Sequence, residues 1–149
     1  MNKTHYIRLI AMTVLSVISM YILMYAMVDV FANVFSNFNQ FYMAGLMASP
    51  MVLIEIFLMR AMYPNKTLNA LIIAVSILAL MLFWLCIRQQ AAISDKQFLK
   101  SMIPHHGGAI LMCEKASIRD PEIKRLCREI ISSQQREIDQ MKTKLNEMH

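Results

Sequence analysis

An all-α fold in two parts, three transmembrane helices followed by a C-terminal antiparallel hairpin, is predicted by three observations. The 149 residues are 57% hydrophobic with only three glycines and four prolines, which points away from an ordinary soluble globule. Three apolar runs are each long enough to cross a hydrocarbon core of about 30 Å at about 1.5 Å per residue. After Arg88 the continuous apolar pattern gives way to apolar positions recurring every three or four residues, the period of an amphipathic helix.

The first run, residues 6–28, carries only Arg8 and, near its end, no acidic residue. It is too long for the apolar core of a signal peptide, and no small-x-small cleavage site follows, so a retained anchor is expected. The second run, residues 42–60, holds Glu55 and ends on Arg60, and the third, residues 67–87, carries no charge. Lys3 and Arg8 flank the first span, Arg60 and Lys66 bracket the second loop, and residues 29–41 have no Lys or Arg. The positive-inside rule then places the N-terminus and the second loop in the cytoplasm, with Arg88 a mild contradiction. Three spans send the tail across, so the expectation is a membrane domain over 1–88 and a periplasmic domain over 89–149 on a bacterial inner membrane. The bilayer is one expected partner.

The tail balances ten Lys and Arg against eight Asp and Glu, so most of the net charge of +5 sits at the membrane flanks. That near balance leaves no basic stripe for nucleic acid. Ser94 or Asp95 can cap a helix in which Phe98, Met102, His105/His106, Ala109, Met112/Cys113 and Ala116 share one face. Pro104, Gly107 and Gly108 predict a kink near the histidine pair that turns both rings inward. A second helix is announced by Asp120 as N-cap, Pro121 at the first helical position and Glu122 at the positive end of the dipole. Ile123, Leu126/Cys127, Ile130/Ile131, Gln134, Ile138, Met141, Leu145 and Met148 follow at heptad-like spacing.

The turn at residues 118–121 is short, so the helices are antiparallel neighbours and positions whose numbers sum to about 240 face each other. That pairs Cys113 with Cys127, His106 with Gln134, and Met102 with Ile138, with Met141 one turn beyond. Two helices cannot enclose a core, and a dimer forming a four-helix bundle is the simplest completion.

Met102, His105, His106 and Met112 offer thioether and imidazole donors. That set suits Cu(I), whereas Zn(II) favours more thiolates or carboxylates. The plain alternative is an oligomerisation module whose core contains these methionines and a satisfied histidine. Cys113 and Cys127 remain open between small buried hydrophobes, a disulfide and thiolate ligands; Cys86, inside the third span, is expected to be inert. Eleven of the fifteen methionines lie in or around the spans. The stripes Met43, Met47, Met51 with Glu55, and Met20, Met24, Met27, read as lipid-facing filler before they read as an ion path, so a transporter is a secondary reading. No Glu-x-x-His helix, phosphate-binding glycine loop or nucleophile elbow occurs, and no enzyme is expected.

Three elements also carry a resemblance. Asp95-x-x-Phe98-x-x-x-Met102-x-Pro104-His105-His106, Ala109-Ile110-x-Met112 and Gln134-x-x-Glu137-Ile138-x-x-Met141 resemble the bacterial domain of unknown function 305, over roughly residues 93–145. That family includes CopM-like extracytoplasmic copper-binding proteins with a ferritin-like helical bundle. The resemblance implies Met102, His105, His106, Met112 and Met141 as metal ligands or their near neighbours, with Cys113, Cys127 and Gln134 as possible additions. It implies Cu(I) as the ion and Ag(I) as its mimic, ahead of Zn(II). Gly107 stands where the family often has Gln, and Lys144 where an aromatic is common after the last Met.

Overall fold

The computed structural model describes residues 3–148. Among them are five α-helices and no strand: α1 (Lys3–Leu23), α2 (Phe38–Leu58), α3 (Lys66–Gln89), α4 (Asp95–Lys115) and α5 (Pro121–Glu147). Short 3-10 turns occupy Met24–Met27, Phe31–Asn33 and Arg60–Met62. The segments Thr4–Met27, Phe38–Leu58 and Lys66–Gln89 are long and apolar enough to cross a membrane. The chain divides into two compact units, one of residues 1–23 and 39–91, the other of residues 24–38 and 92–149.

In the first unit, α2 buries a face of small residues, Ala44, Gly45, Ala48 and Ser49, followed by Val52 and Ile56. Small side chains let helices approach where lipid supplies no hydrophobic drive between them. Gly45 lies so close to α3 that a Cβ there would strike the Phe83 ring, which Phe41 meets edge-on at 5.9 Å. At the other end of α2, Tyr6, Leu9, Val52, Ile56 and Tyr63 form an apolar cluster with a polar lining. Tyr6 donates to Asn69 Oδ1 at 2.8 Å, and Tyr63 donates to Glu55 Oε1 at 3.0 Å. The single acidic residue of the spans is thereby tied to a tyrosine. Ile7, Ile10, Ile18, Leu71 and Leu78 face outward, as do Met43 and Met47.

The second unit is the hairpin of α4 and α5 together with the segment that links α1 to α2. Ser94 caps α4 by accepting from Gln97 N, and Asp120 caps α5 by accepting from Glu122 N at 2.8 Å and Ile123 N at 3.0 Å. Leu99, Ile103 and Ile110 pack against Ile138 and Leu145, with Phe35 and Met141 at the margin. Ile103 and Ile138 are fully buried.

The linking segment is ordered against α4. Asn33 Nδ2 donates to Asp29 Oδ1 at 2.7 Å, Tyr25 donates to the Phe35 carbonyl at 2.8 Å, and Phe38 N donates to Gln97 Oε1 at 3.1 Å. This gives the glycines of α4 a role different from the expected bend. The helix stays helical through Pro104, Gly107 and Gly108. A Cβ on Gly107 would collide with the Asp29 carboxylate, and one on Gly108 would press on the Met27 carbonyl at 3.3 Å. The absent side chains admit the 24–38 segment onto this face.

Candidate metal centre

His106 is the buried centre of the hairpin's polar residues, 7% exposed on the inner face of α4. Its Nδ1 lies 2.9 Å from the Met102 carbonyl one turn back, and its Nε2 lies 2.7 Å from Glu137 Oε2 on α5. A carbonyl only accepts, so Nδ1 carries the hydrogen of that bond. Nε2 then donates to the carboxylate in the imidazolium form, or stands unprotonated as a ligand directed across the hairpin. An Nδ1–H bond to a backbone carbonyl is the usual means of holding a metal-binding imidazole in one tautomer and orientation. Glu137 has a half-exposed side chain and can turn to water without losing its hydration.

The partner of His106 is therefore Glu137, three residues beyond the expected Gln134. The displacement has a physical cause. Helical Cα–Cβ bonds tilt toward the N-terminus, so a long side chain on α4 leans away from the turn while one on α5 leans toward it. Long pairs consequently meet at number sums above 240, whereas short cysteines meet close to it. Cys113 and Cys127 act on each other: hydrogen bonding to Cys127, then burial, then the charge of Cys127 push the Cys113 thiol up from 9.0 to about 11. All three cysteines are free thiols.

Met102 and Met141 are partly buried, Met141 against the apolar core, and Gln134 is partly buried as well. His105 and Met112 are not turned inward. His105 is exposed, with its ring 6.2 Å from that of His106 and nearly perpendicular to it, and Met112 is 55% exposed. Among the described residues, no group of three or more His, Cys, Asp or Glu gathers in one place. Imidazole and thioether donors together suit a soft monovalent ion and suit Zn(II) poorly. Glu137 was missed as a site residue on spacing alone. Its signal lay in the Gln134-x-x-Glu137-Ile138 element, where an exposed acid directly precedes a fully buried isoleucine.

Residues 85–145 match the family DUF305, a domain of unknown function. The chain is also 42% identical over 113 residues to an uncharacterized protein of Acanthamoeba polyphaga mimivirus, in an alignment covering 74% of this chain and 72% of that protein. An alignment of that length extends from the hairpin well into the apolar helices. No solved structure matches the chain.

Proposed function

This chain belongs to the DUF305 family, and from that premise we propose that it is a membrane-anchored metal-binding protein. Its hairpin takes up Cu(I), or Ag(I) in its place, in metal storage, delivery or resistance. His106 Nε2 and the thioethers of Met102 and Met141 are the inner ligands. His105 and Met112, both exposed, become ligands where a second copy closes a four-helix bundle, with Ile123 and Leu126 as the apolar surface that dimer would cover. The charge pattern of the loops supports a cytoplasmic N-terminus with the hairpin on the opposite side, the periplasm if the membrane is a bacterial inner membrane.

The observation that carries this reading is the fixed imidazole: Nδ1 on the Met102 carbonyl, Nε2 aimed at the facing helix. A bound ion would take Nε2 in place of Glu137, whose half-exposed carboxylate has water to turn to. The test is a Cu(I) titration of the full chain in detergent against a chromogenic competing chelator. Wild type should withdraw copper that a Met102→Ala/His106→Ala variant leaves with the chelator; equal, poor competition by both would reject the reading.

The same contact favours one rival. A His106 satisfied on both nitrogens is also what a purely structural clasp in an interaction module requires. Under that reading the double variant loses thermal stability and wild type never competes for copper. A transporter, the third reading, requires ion uptake into vesicles that is lost on Glu55→Gln.

A further inference from the structure

The segment between α1 and α2 is inverted for a surface that meets water. Of residues 24–38, Asn33 and Asn37 are buried, 2% and 5% exposed, while Phe31 is 90% exposed and Met27 and Val30 are 57% and 52% exposed. One exposed apolar side chain is ordinary on a soluble surface, but asparagines inside and a phenylalanine outside on the same short stretch are not. Asn33 stays inside although its Oδ1 has no partner there. With water on the outer side, turning that amide out and the Phe31 ring in would gain on both counts.

Chain connectivity names what lies outside instead. The span Thr4–Met27 ends four residues before Phe31, and the span Phe38–Leu58 begins seven after it. At no more than about 3.6 Å per residue, Phe31 stays within about 14 Å of the end of the first span. The backbone of the tip closes on itself: Asn33 N donates to the Val30 carbonyl and Val34 N to the Phe31 carbonyl, each at 3.0 Å. Both carbonyls are thereby paired without water, as an apolar setting requires. The one charged residue of the segment, Asp29, is turned the other way, its Oδ1 receiving Asn33 Nδ2 and lying against Gly107.

We infer that Val30 and Phe31 form a wedge that inserts into the headgroup–acyl boundary of the bilayer, so that the segment on which α4 packs holds lipid with its exposed side. Apolar side chains on a short element of this kind bury about 5–10 Å into that boundary. The partner is the lipid irrespective of headgroup charge, because residues 29–41 contain no Lys or Arg to select an anionic one. The inference rests on the membrane-spanning part of the proposed function and is independent of the metal centre.

The test reads tryptophan fluorescence of the full chain in vesicles of zwitterionic phospholipid. Trp84, the only tryptophan, lies in α3 and reports on the spans themselves. Trp84→Phe/Phe31→Trp moves the probe to the tip, where a 90% exposed side chain has little packing to lose, and Trp84→Phe/Val30→Trp is a second probe should the first misfold. Lipid brominated near the headgroup end of its chains should remove about half or more of the emission from position 31, and lipid brominated near the methyl end clearly less. Aqueous iodide should have little effect, and adding anionic lipid should change nothing. Quenching by iodide but not by brominated lipid at position 31, with wild-type Trp84 quenched by brominated lipid, overturns the wedge and leaves the spans standing. Protection from both quenchers would put the tip against protein, a second copy included, and overturns it too. Failure of brominated lipid to quench Trp84 as well would reject the spans and the wedge together.

Discussion

Two faces of the molecule bury opposite kinds of residue. In the unit of α1, α2 and α3 one stretch of α2 buries Ala44, Gly45, Ala48 and Ser49, while Ile7, Ile10, Ile18, Leu71 and Leu78 point outward. In the hairpin Leu99, Ile103, Ile110, Ile138 and Leu145 are inside and charged residues are outside. The inversion follows from the solvent. Burial from water gains free energy for each apolar atom, whereas burial from lipid gains only the contact, so membrane helices select for closeness and the hairpin for apolar volume. A methionine accordingly has two meanings here: Met43 and Met47 are outward filler, while Met141 packs against the apolar core of the hairpin and Met102 offers its carbonyl to a buried imidazole.

The sharpest way to break this contrast is a matched pair of deletions. Ile138→Ala leaves a cavity at a fully buried position and should cost about 2–5 kcal/mol of hairpin stability. Ile56→Ala, also buried, should cost clearly less because lipid is as apolar as the site it leaves. Thermal unfolding of each in the same detergent decides the matter, and equal losses would refute the contrast. Next in size is Gly107→Val, which puts a branched side chain where a Cβ alone already strikes the Asp29 carboxylate and touches Val28, and should cost about 1–3 kcal/mol. Protease cleavage within residues 24–38 should accelerate in that variant, and Asp29→Gly in the same chain should slow it again; unchanged cleavage would mean the segment does not rest on α4.

Smaller effects probe the polar pairs. Glu137→Gln keeps an acceptor near His106 but removes the charge, and because the side chain is half exposed the loss should be about 1 kcal/mol or less in the same unfolding measurement. A loss of several kcal/mol would make the pair a structural keystone. Smallest in stability but clear in titration is Cys127→Ala. It removes the main cause of the raised Cys113 value, so the alkylation rate of Cys113 against pH, measured with Cys86→Ser, should shift its midpoint from about 11 toward 9.0. The sign follows from linkage. A folded value raised above the unfolded one adds stability that is complete below about pH 9 and disappears as the pH climbs through 11.

Local signals made much of this architecture legible. Run length marked the three apolar helices, Asp120 with Pro121 marked the start of α5, and the short turn placed Cys113 beside Cys127. What stayed hidden depended on side-chain direction and on contacts distant in the chain. The arithmetic that paired the cysteines misplaced His106 because it ignored the tilt of longer side chains, which hands the imidazole to Glu137. It also turned His105 inward, although adjacent residues on a helix differ by about 100° in direction and the core receives only one of them. By run length and charge, residues 24–28 belong to the end of the first apolar run and 29–41 to a loop without Lys or Arg; nothing local in Asp29 announces that Gly107 leaves room for it nearly eighty residues later.

That last contact imposes an order of assembly. Chain synthesis runs from the N-terminus, so residues 24–38 exist before α3, α4 or α5 has been made. Asn33 and Phe35 must stand uncovered until the hairpin arrives, and α4 then docks its glycine face on a surface laid down in advance. The hairpin is completed on a template left by its own upstream sequence, and a fragment that starts at residue 89 is missing the part that was there first.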